Sequence, residues 1–281
     1  MANAARTVSI KLRLLYVLAA ILFFFIGLIA FFPGEVVRQR LEQELSAQLH
    51  MAVEVGETDL ALPLGLTIDS LHVPVDDTFS VTPTQISIRP AWLSLFTGSP
   101  AVRLTATLWD GEITATINTS QHLALEANDL HWQGSLPQLP SLGINARLDH
   151  LELNGTATSV FQLQQATLSL AELTVTGMKS LGGRDDNLAL GEVFLKIHED
   201  NGHLQIEQLQ SRNGNLVVNA DGRITPGRRP ELSRLDLKVT LIPQPSTDPA
   251  LTDLMQLVTP ADQNGHFVLT LRGSAAQPSL R

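Results

Sequence analysis

A run of 19 uncharged, mostly apolar residues at positions 14–32 constrains this chain more than any other feature. At ~1.5 Å rise per residue, a helix of that length spans the ~30 Å hydrocarbon core of a bilayer. The alternative is a cleaved signal peptide, whose apolar region is about 7 to 15 residues long and precedes an A-x-A-like site. Here the run ends in Phe31-Phe32-Pro33-Gly34. The sequence therefore predicts an uncleaved transmembrane anchor at residues 14–32.

Three basic residues precede this anchor. Arg6, Lys11 and Arg13 fall within residues 1–13, which contain no acidic residue. The positive-inside rule then places residues 1–13 in the cytoplasm and everything from Pro33 onward on the other side. Because the chain has no cysteine, the exported part cannot depend on disulfides. We expect a single-pass protein of the bacterial inner membrane with a periplasmic C-terminal domain.

The charge of the exported part limits its partners. The chain has a net charge of −9, residues 1–13 carry +3, and the rest therefore carries −12. This sign disfavours nucleic acid and anionic headgroups as the main partner, so no nucleic-acid partner is expected. With 44% apolar residues the chain can bury a core.

Residues 33–50 have a helical pattern. Val37, Leu41, Leu45 and Leu49 recur every four residues among charged and glutamine side chains. This spacing predicts an amphipathic membrane-proximal helix. Its apolar stripe has two interpretations: it lies on the membrane surface, or it caps the open end of a sheet.

Residues 51–281 are dominated by short alternating runs, which predict a periplasmic antiparallel β domain. The clearest pair flanks Asp110-Gly111, which we predict to form a two-residue hairpin turn. That turn pairs Leu108 with Ile113, Ala106 with Ala115, and Leu104 with Ile117. Further turn dipeptides follow at Asn201-Gly202, Asn213-Gly214 and Asp221-Gly222.

Only two more short helices are predicted, within residues 90–96 and from the N-cap Asp248 with Pro249 at the first helical position. These helices are too few to cover a sheet of this size. We therefore expect a mainly β fold: one N-terminal transmembrane helix plus a curved antiparallel β-sheet, in the form of a half-barrel, groove or barrel, with one to three short helices.

The interior of such a sheet has two interpretations. With little helix over it, the apolar face offers a trough for an acyl chain, and the hairpin residues would line this groove. Alternatively, the protein's own side chains fill the interior, as in small barrels. The candidate lining residues are Leu104, Ala106, Leu108, Ile113, Ala115 and Ile117.

Motifs of known chemistry are missing from the sequence. None of the eight histidines falls in a metal-ligating spacing such as H-E-x-x-H, and there is no G-x-S-x-G. The glycine-rich stretch at residues 181–187 lacks the lysine, serine or following helix of a phosphate loop. We expect no catalytic residue, no metal site and no cofactor, and hence not an enzyme.

The order of several motifs resembles a known family. Val53-Glu54-Val55-Gly56 and Leu62-Pro63-Leu64-Gly65-Leu66-Thr67-Ile68 follow the anchor and the amphipathic helix. Later come the stretch from Ile88 to Gly98, then Trp109-Asp110-Gly111-Glu112-Ile113, and the segments 136–140, 151–155 and 265–273 with Pro278. In this order they resemble type II secretion system protein N, the GspN family, and more broadly the AsmA-type periplasmic β-groove proteins.

The two resemblances imply different functions. The first implies an inner-membrane-anchored periplasmic accessory component of a type II protein secretion system in a Gram-negative bacterium. Such a component acts by contact with other secretion-system proteins, with no catalytic residues to carry over. The second implies a periplasmic lipid-binding or lipid-bridging module. The expected partners are therefore other secretion-system components, the inner membrane through residues 14–32, and lipid in the alternative.

Overall fold

The structure is a computed structural model that describes residues 23–24, 27, 31–61, 64–74, 80–96, 98–136, 139–157, 161–227 and 232–280. Strands account for 62% of these residues, which confirms the predicted mainly β class. The chain divides into two compact units, residues 1–90 and 91–281, here called the first unit and the second unit.

The described part of the first unit is built around strand β3. Helix α1 spans Gly34–Leu49, and β1 (Glu54–Val55), β2 (Thr58–Ala61), β3 (Gly65–Pro74), β4 (Ser80–Val81) and β5 (Thr84–Pro90) follow. Strand β3 pairs antiparallel with each of the other four strands. Val53, Val55, Ile68 and Ile86 are buried and form the apolar centre of this unit.

Helix α1 contacts the start of strand β1 through polar side chains. The Ser46 hydroxyl accepts a hydrogen bond from the Val53 N–H at 3.0 Å, and the Glu42 carboxylate accepts one from the Val55 N–H at 3.1 Å. Arg38 donates to Glu42 at 3.3 Å. The apolar stripe beside these residues, at positions 37, 41 and 45, is half-buried. Helix α1 thus contacts the strands of the first unit, and its position next to a membrane stays a prediction.

The predicted anchor at residues 14–32 and the predicted cytoplasmic segment 1–13 lie largely outside the described residues. Among the residues that the structure does describe, no helix combines the length and the apolar character needed to cross a bilayer. The anchor and its orientation therefore stay predictions.

The second unit is an open antiparallel meander in which each described strand pairs with the next one along the chain. Its strands are β6 (Ala101–Leu108), β7 (Gly111–Asn118), β8 (His122–Leu136), β9 (Leu139–Ala157), β10 (Phe161–Thr176), β11 (Asn187–Asp200), β12 (His203–Arg212), β13 (Leu216–Thr225), β14 (Arg234–Pro243), β15 (Phe267–Ser274) and β16 (Gln277–Leu280). Helix α2 (Trp92–Phe96) precedes β6, a 3-10 helix (Met178–Leu181) follows β10, and α3 (Pro249–Val258) lies between β14 and β15.

An up-and-down path gives this sheet two distinct ends. The α2 end holds helix α2, the start of β6, and the connections that follow β7, β9, β11, β13 and β15. The α3 end holds the β6–β7 turn, the starts of β11, β13 and β15, and helix α3.

The predicted hairpin between β6 and β7 is present, but its turn lies one residue earlier than predicted, which shifts the strand pairing by two residues. Trp109 and Asp110 form the turn with φ of 48° and 64°, so Leu108 pairs with Gly111. Gly111 is needed for another reason: a Cβ there would lie 2.4 Å from the Asn128 carbonyl oxygen of β8. Close approach of the neighbouring strand, rather than the turn, therefore requires this glycine. A shift of two residues keeps every side chain on its predicted face.

Two other predicted turns have different outcomes. Asn201-Gly202 is a two-residue turn with φ of 52° and 81°, as predicted, because Asp200 pairs with His203. The Asp221-Gly222 turn is wrong, since both residues lie inside β13. Gly222 has φ of 136°, and a Cβ there would lie 2.2 Å from the Asp236 carbonyl oxygen of β14. Here too the glycine serves strand packing.

Candidate functional site

The six predicted lining residues lie on one face of the sheet. Across β6 and β7, Leu104 pairs with Ala115 and Ala106 pairs with Ile113, while Leu108 and Ile117 pair with Gly111 and Val102. Directly paired residues of antiparallel strands point to the same side. Ala106 and Leu108 are buried, and Ile117 is 40% exposed. The other three, Leu104, Ile113 and Ala115, are half-buried. The structure thus brings these residues together on a surface that is only partly covered.

The apolar face continues from this hairpin across the whole second unit. Two rows of directly paired residues run from β6 towards the last strands, and together they contain only Leu, Ile, Val, Ala and one Gly. The first row is Leu104, Ala115, Leu125, Leu153, Ala166, Ile197, Ile206, Gly222, Leu237, Leu271 and Leu280. The second row is Ala106, Ile113, Ala127, Leu151, Leu168, Leu195, Leu209, Ala220, Val239 and Leu269.

Along these rows the short side chains are more fully buried than most of the large ones. Apart from Ile206, the buried members are the short side chains Ala106, Ala127, Ala166 and Ala220. The larger leucines, such as Leu151, Leu168 and Leu195, are only half-buried. Neighbouring side chains therefore shield the short residues while the tips of the tall ones remain accessible. A second layer packed on this face would bury the large side chains first. Within the part of the chain that the structure describes, the rows therefore form an uncovered apolar face.

A bulge extends this face along the longest strands. Asp129 has φ of 56°, and the apolar residues on either side of it in β8, Ala127 and Leu130, are three positions apart. Leu130 pairs with Leu148, which pairs with Leu170. Strict alternation from Ala127 would place Leu130 on the opposite face. The extra residue of the bulge keeps Leu130 on the apolar face. The apolar face therefore continues from the α2 end towards the α3 end.

The opposite face of the sheet is polar. Thr114, Glu126, Glu152, Thr167 and Lys196 form a row of directly paired residues there. The Lys196 ammonium lies 2.6 Å from the Glu207 carboxylate, and its hydrogen bond lowers the pKa of that carboxyl. His150 hydrogen-bonds Asn128 across β8 and β9 at 2.7 Å. The sheet is thus wetted on one side and apolar on the other.

Helix α3 covers one end of the apolar face. Its Met255 packs with Leu216 and Phe267, and all three are buried, with Phe267 only 1% exposed. The partly buried residues around this cluster are Leu188, Leu190, Val218, Leu241 and Leu251. The predicted helix is therefore confirmed. Large apolar side chains under it are buried, whereas those elsewhere on the same face are only half-buried.

Asp248, the residue immediately before α3, holds this helix in place. Burial raises the pKa of Asp248, but hydrogen bonds from the backbone N–H groups of Ala250, Arg184 and Asp185 outweigh it and lower the pKa overall. The carboxylate therefore caps α3 and also binds the loop that follows the 3-10 helix. Below it, the Asn215 side chain donates to the Ser246 hydroxyl at 3.0 Å and accepts from the Ala189 N–H at 3.1 Å.

Potential metal ligands do not form a cluster in the described residues. In this part of the chain, no three His, Cys, Asp or Glu side chains are placed to share a metal ion. Comparison of the chain with known protein families, curated proteins and solved structures finds no match. The resemblance to the GspN family and to the AsmA-type proteins therefore stays a prediction from the sequence.

Proposed function

We propose that the second unit binds the acyl chains of lipids against its uncovered apolar face. The observation that carries this proposal is the pair of apolar rows whose leucines, among them Leu151, Leu168 and Leu195, are half-buried with no layer over them in the described residues. An exposed apolar surface of this extent is costly in water and is typical of a binding site. In this proposal the sheet curls into a half-barrel or groove around the bound chains.

The dimensions support acyl chains as the ligand. On β9 the apolar positions run from Ile144 to Leu153, and at ~3.3 Å per residue this stretch is about 30 Å long. An acyl chain in one leaflet spans about half of the ~30 Å hydrocarbon core of a bilayer. A single chain therefore fits along the strand direction with room to shift.

The chemistry supports exchange rather than permanent retention. Lipid tails are about as apolar as leucine side chains, so moving a chain from a bilayer to this face gains little free energy. Its transfer from water, in contrast, is favourable by ~0.8 kcal/mol per buried methylene. A face of this kind therefore shields acyl chains from water without holding them tightly, as a lipid-binding or lipid-bridging module requires.

The test is lipid occupancy of the full chain, purified in mild detergent and measured by native mass spectrometry. Leu168→Gln with Leu195→Gln places two amides side by side on the apolar face, because these residues pair directly. The matched control is Thr167→Gln with Lys196→Gln, the directly paired neighbours on the polar face. We expect bound phospholipid in the wild type and the control and a loss of most of it in the double leucine variant. Absence of lipid from the delipidated wild type after incubation with phospholipid would remove the proposal.

A protein partner is the second candidate, in line with the secretion role that the sequence resemblance implies. The observation in its favour is strand β16, which comes last in the strand order and whose four residues are all exposed. Such an edge accepts a further strand from another chain. Copurification of the full chain in mild detergent tests this candidate. It predicts recovery of secretion-system proteins, and recovery of phospholipid alone would count against it.

A further inference from the structure

Exposed large apolar residues gather at the α2 end of the second unit. In helix α2, Leu93 is 83% exposed, Phe96 is 87% exposed and Trp92 is 42% exposed. Val102, Ile117 and Phe161, on the strands that begin or end there, are 40 to 44% exposed. Large exposed aromatic and aliphatic side chains at one end of a sheet are typical of a contact surface.

Helix α2 is held to the sheet by its polar side, which leaves its apolar residues outside. The Ser94 hydroxyl donates to the Ala91 carbonyl oxygen at 2.5 Å and accepts from the Ala101 N–H at 2.8 Å. The Ala91 N–H in turn donates to the Ala101 carbonyl oxygen at 2.8 Å. The short helix is therefore fixed at the start of β6, and Leu93 and Phe96 project from a defined position.

At the α2 end, Glu199 and Asp200 beside the β11–β12 turn are charged, and Arg103 lies near the start of β6, but three segments on the β6 to β10 side of this end carry no Asp, Glu, Lys or Arg. They are residues 91–102, 113–125 and 153–171. Backbone hydrogen bonds join them: Thr119 N–H to the Pro100 carbonyl oxygen at 3.0 Å, and Ala157 N–H to the Gln121 carbonyl oxygen at 2.7 Å. Because a charged side chain loses hydration when it enters a bilayer, insertion of these three segments carries no such cost.

The α3 end provides a contrast within the same sheet. Its helix also exposes apolar residues, with Leu257 83% exposed and Val258 59% exposed. However, Asp248 and Asp253 lie at the start and in the middle of α3, and Asp248 binds the backbone of Asp185. Insertion of this end into a bilayer would desolvate these carboxylates. Exposure alone does not distinguish helix α2 from helix α3, but charge does, because α2 contains no charged residue.

We propose that helix α2 and the adjoining ends of β6 to β10 contact the surface of a phospholipid bilayer, with Trp92, Leu93 and Phe96 at the level where headgroups meet acyl chains. The absence of lysine and arginine from the three segments commits the surface to zwitterionic lipid rather than to anionic headgroups. The proposal rests on the proposed function: the apolar face reaches this end, at Leu123 and Leu163, so acyl chains pass between the bilayer and the face here.

The test uses single cysteines, which the cysteine-free chain allows without further substitution. Leu93→Cys and the control Leu257→Cys alter residues of equal exposure, 83%, at opposite ends of the sheet. Each full-length variant carries an environment-sensitive fluorophore and is reconstituted in phosphatidylcholine vesicles with a nitroxide on the lipid acyl chain. We expect at least threefold stronger quenching at position 93 than at position 257. Equal quenching at both positions, or none at position 93, would overturn the inference.

Lipid occupancy of the same preparations separates this inference from the proposed function. An unquenched label at position 93 in protein that retains bound phospholipid contradicts the bilayer contact and leaves acyl-chain binding intact. A quenched label in protein that binds no phospholipid supports the bilayer contact and removes acyl-chain binding.

Discussion

The same apolar face behaves differently under helix α3 and away from it. Beneath α3, Phe267 and Leu216 are buried, and Met255 of the helix is buried against them. On the middle strands, Leu168 and Leu195 belong to the same face and are only half-buried. Since both regions have the same side-chain chemistry, the difference comes from the covering layer.

This difference separates two uses of apolar residues. Under α3 they stabilise the fold, because burial of a large side chain contributes about 1.5 to 3 kcal/mol. On the uncovered strands they contribute less to the fold and leave surface for a ligand. Substitutions under α3 are therefore expected to lower mainly the stability of the fold. Substitutions on the uncovered strands are expected to lower mainly lipid binding.

The largest expected effect lies under the helix. Phe267→Ala removes the most buried large side chain and should lower the free energy of unfolding by about 3 to 5 kcal/mol. Val268→Ala, at the next position on the opposite face, is the control, with an expected loss of about 1 kcal/mol or less. Urea unfolding of the full chain in mild detergent measures both. Equal losses would mean that α3 does not create a distinct buried region.

A second effect tests strand packing outside the α3 contact. Gly111→Val places a branched side chain where a Cβ already meets the Asn128 carbonyl oxygen at 2.4 Å. We expect a loss of about 1 to 3 kcal/mol in the free energy of unfolding, because β8 must move away. Glu112→Val introduces the same side chain at the adjacent exposed position and should change stability by about 0.5 kcal/mol or less. An unchanged melting temperature for the glycine variant would contradict the close approach.

A smaller stability effect is expected on the uncovered face. Leu168→Ala should cost about 1 to 2 kcal/mol, because the leucine is already partly exposed in the folded protein. Added phospholipid should raise the melting temperature of the wild type more than that of this variant, since a ligand stabilises the state that binds it. If lipid stabilised both proteins equally, Leu168 would not belong to the binding surface.

The smallest expected effect concerns the cap of α3. Folding lowers the pKa of Asp248, so its carboxylate contributes stability that is fully present above the ordinary aspartate pKa of ~3.9. This contribution is lost as the pH falls through the lowered pKa. Asp248→Asn keeps a capping oxygen but removes the charge. The melting temperature of the variant should lie below that of the wild type at pH 7, and the gap should shrink towards pH 3. A gap independent of pH would mean that the charge does not stabilise α3.

Sequence pattern predicted the faces of the strands better than it predicted their turns. Alternation placed Leu104, Ala106 and Ile113 on one face, and the structure has them there because a shift of two residues keeps the face. The turn residues were assigned wrongly because glycine after aspartate is a strong local turn signal. At Gly111 and Gly222, contact with a neighbouring strand determines the conformation instead.

Helix α3 was predictable, whereas the surface that it covers was not. Asp248 followed by Pro249 is a local start signal, and the helix begins where that signal places it. Its packing on Phe267 and Leu216 depends on residues that are distant in the sequence. The bulge at Asp129 keeps Leu130 on the apolar face, and strict alternation along the strand does not predict it.

The central claim is that acyl chains lie on one face of the sheet and not on the other. Photo-crosslinking of the full chain with a phospholipid that carries a photoreactive group near the end of an acyl chain tests it most directly, with the labelled residues identified by mass spectrometry. On β10 the account predicts labels at Leu168 and Leu170 and none at Thr167 and Ser169, because successive strand residues point to opposite faces. Labels on both sets of residues, or on the polar set alone, would contradict it.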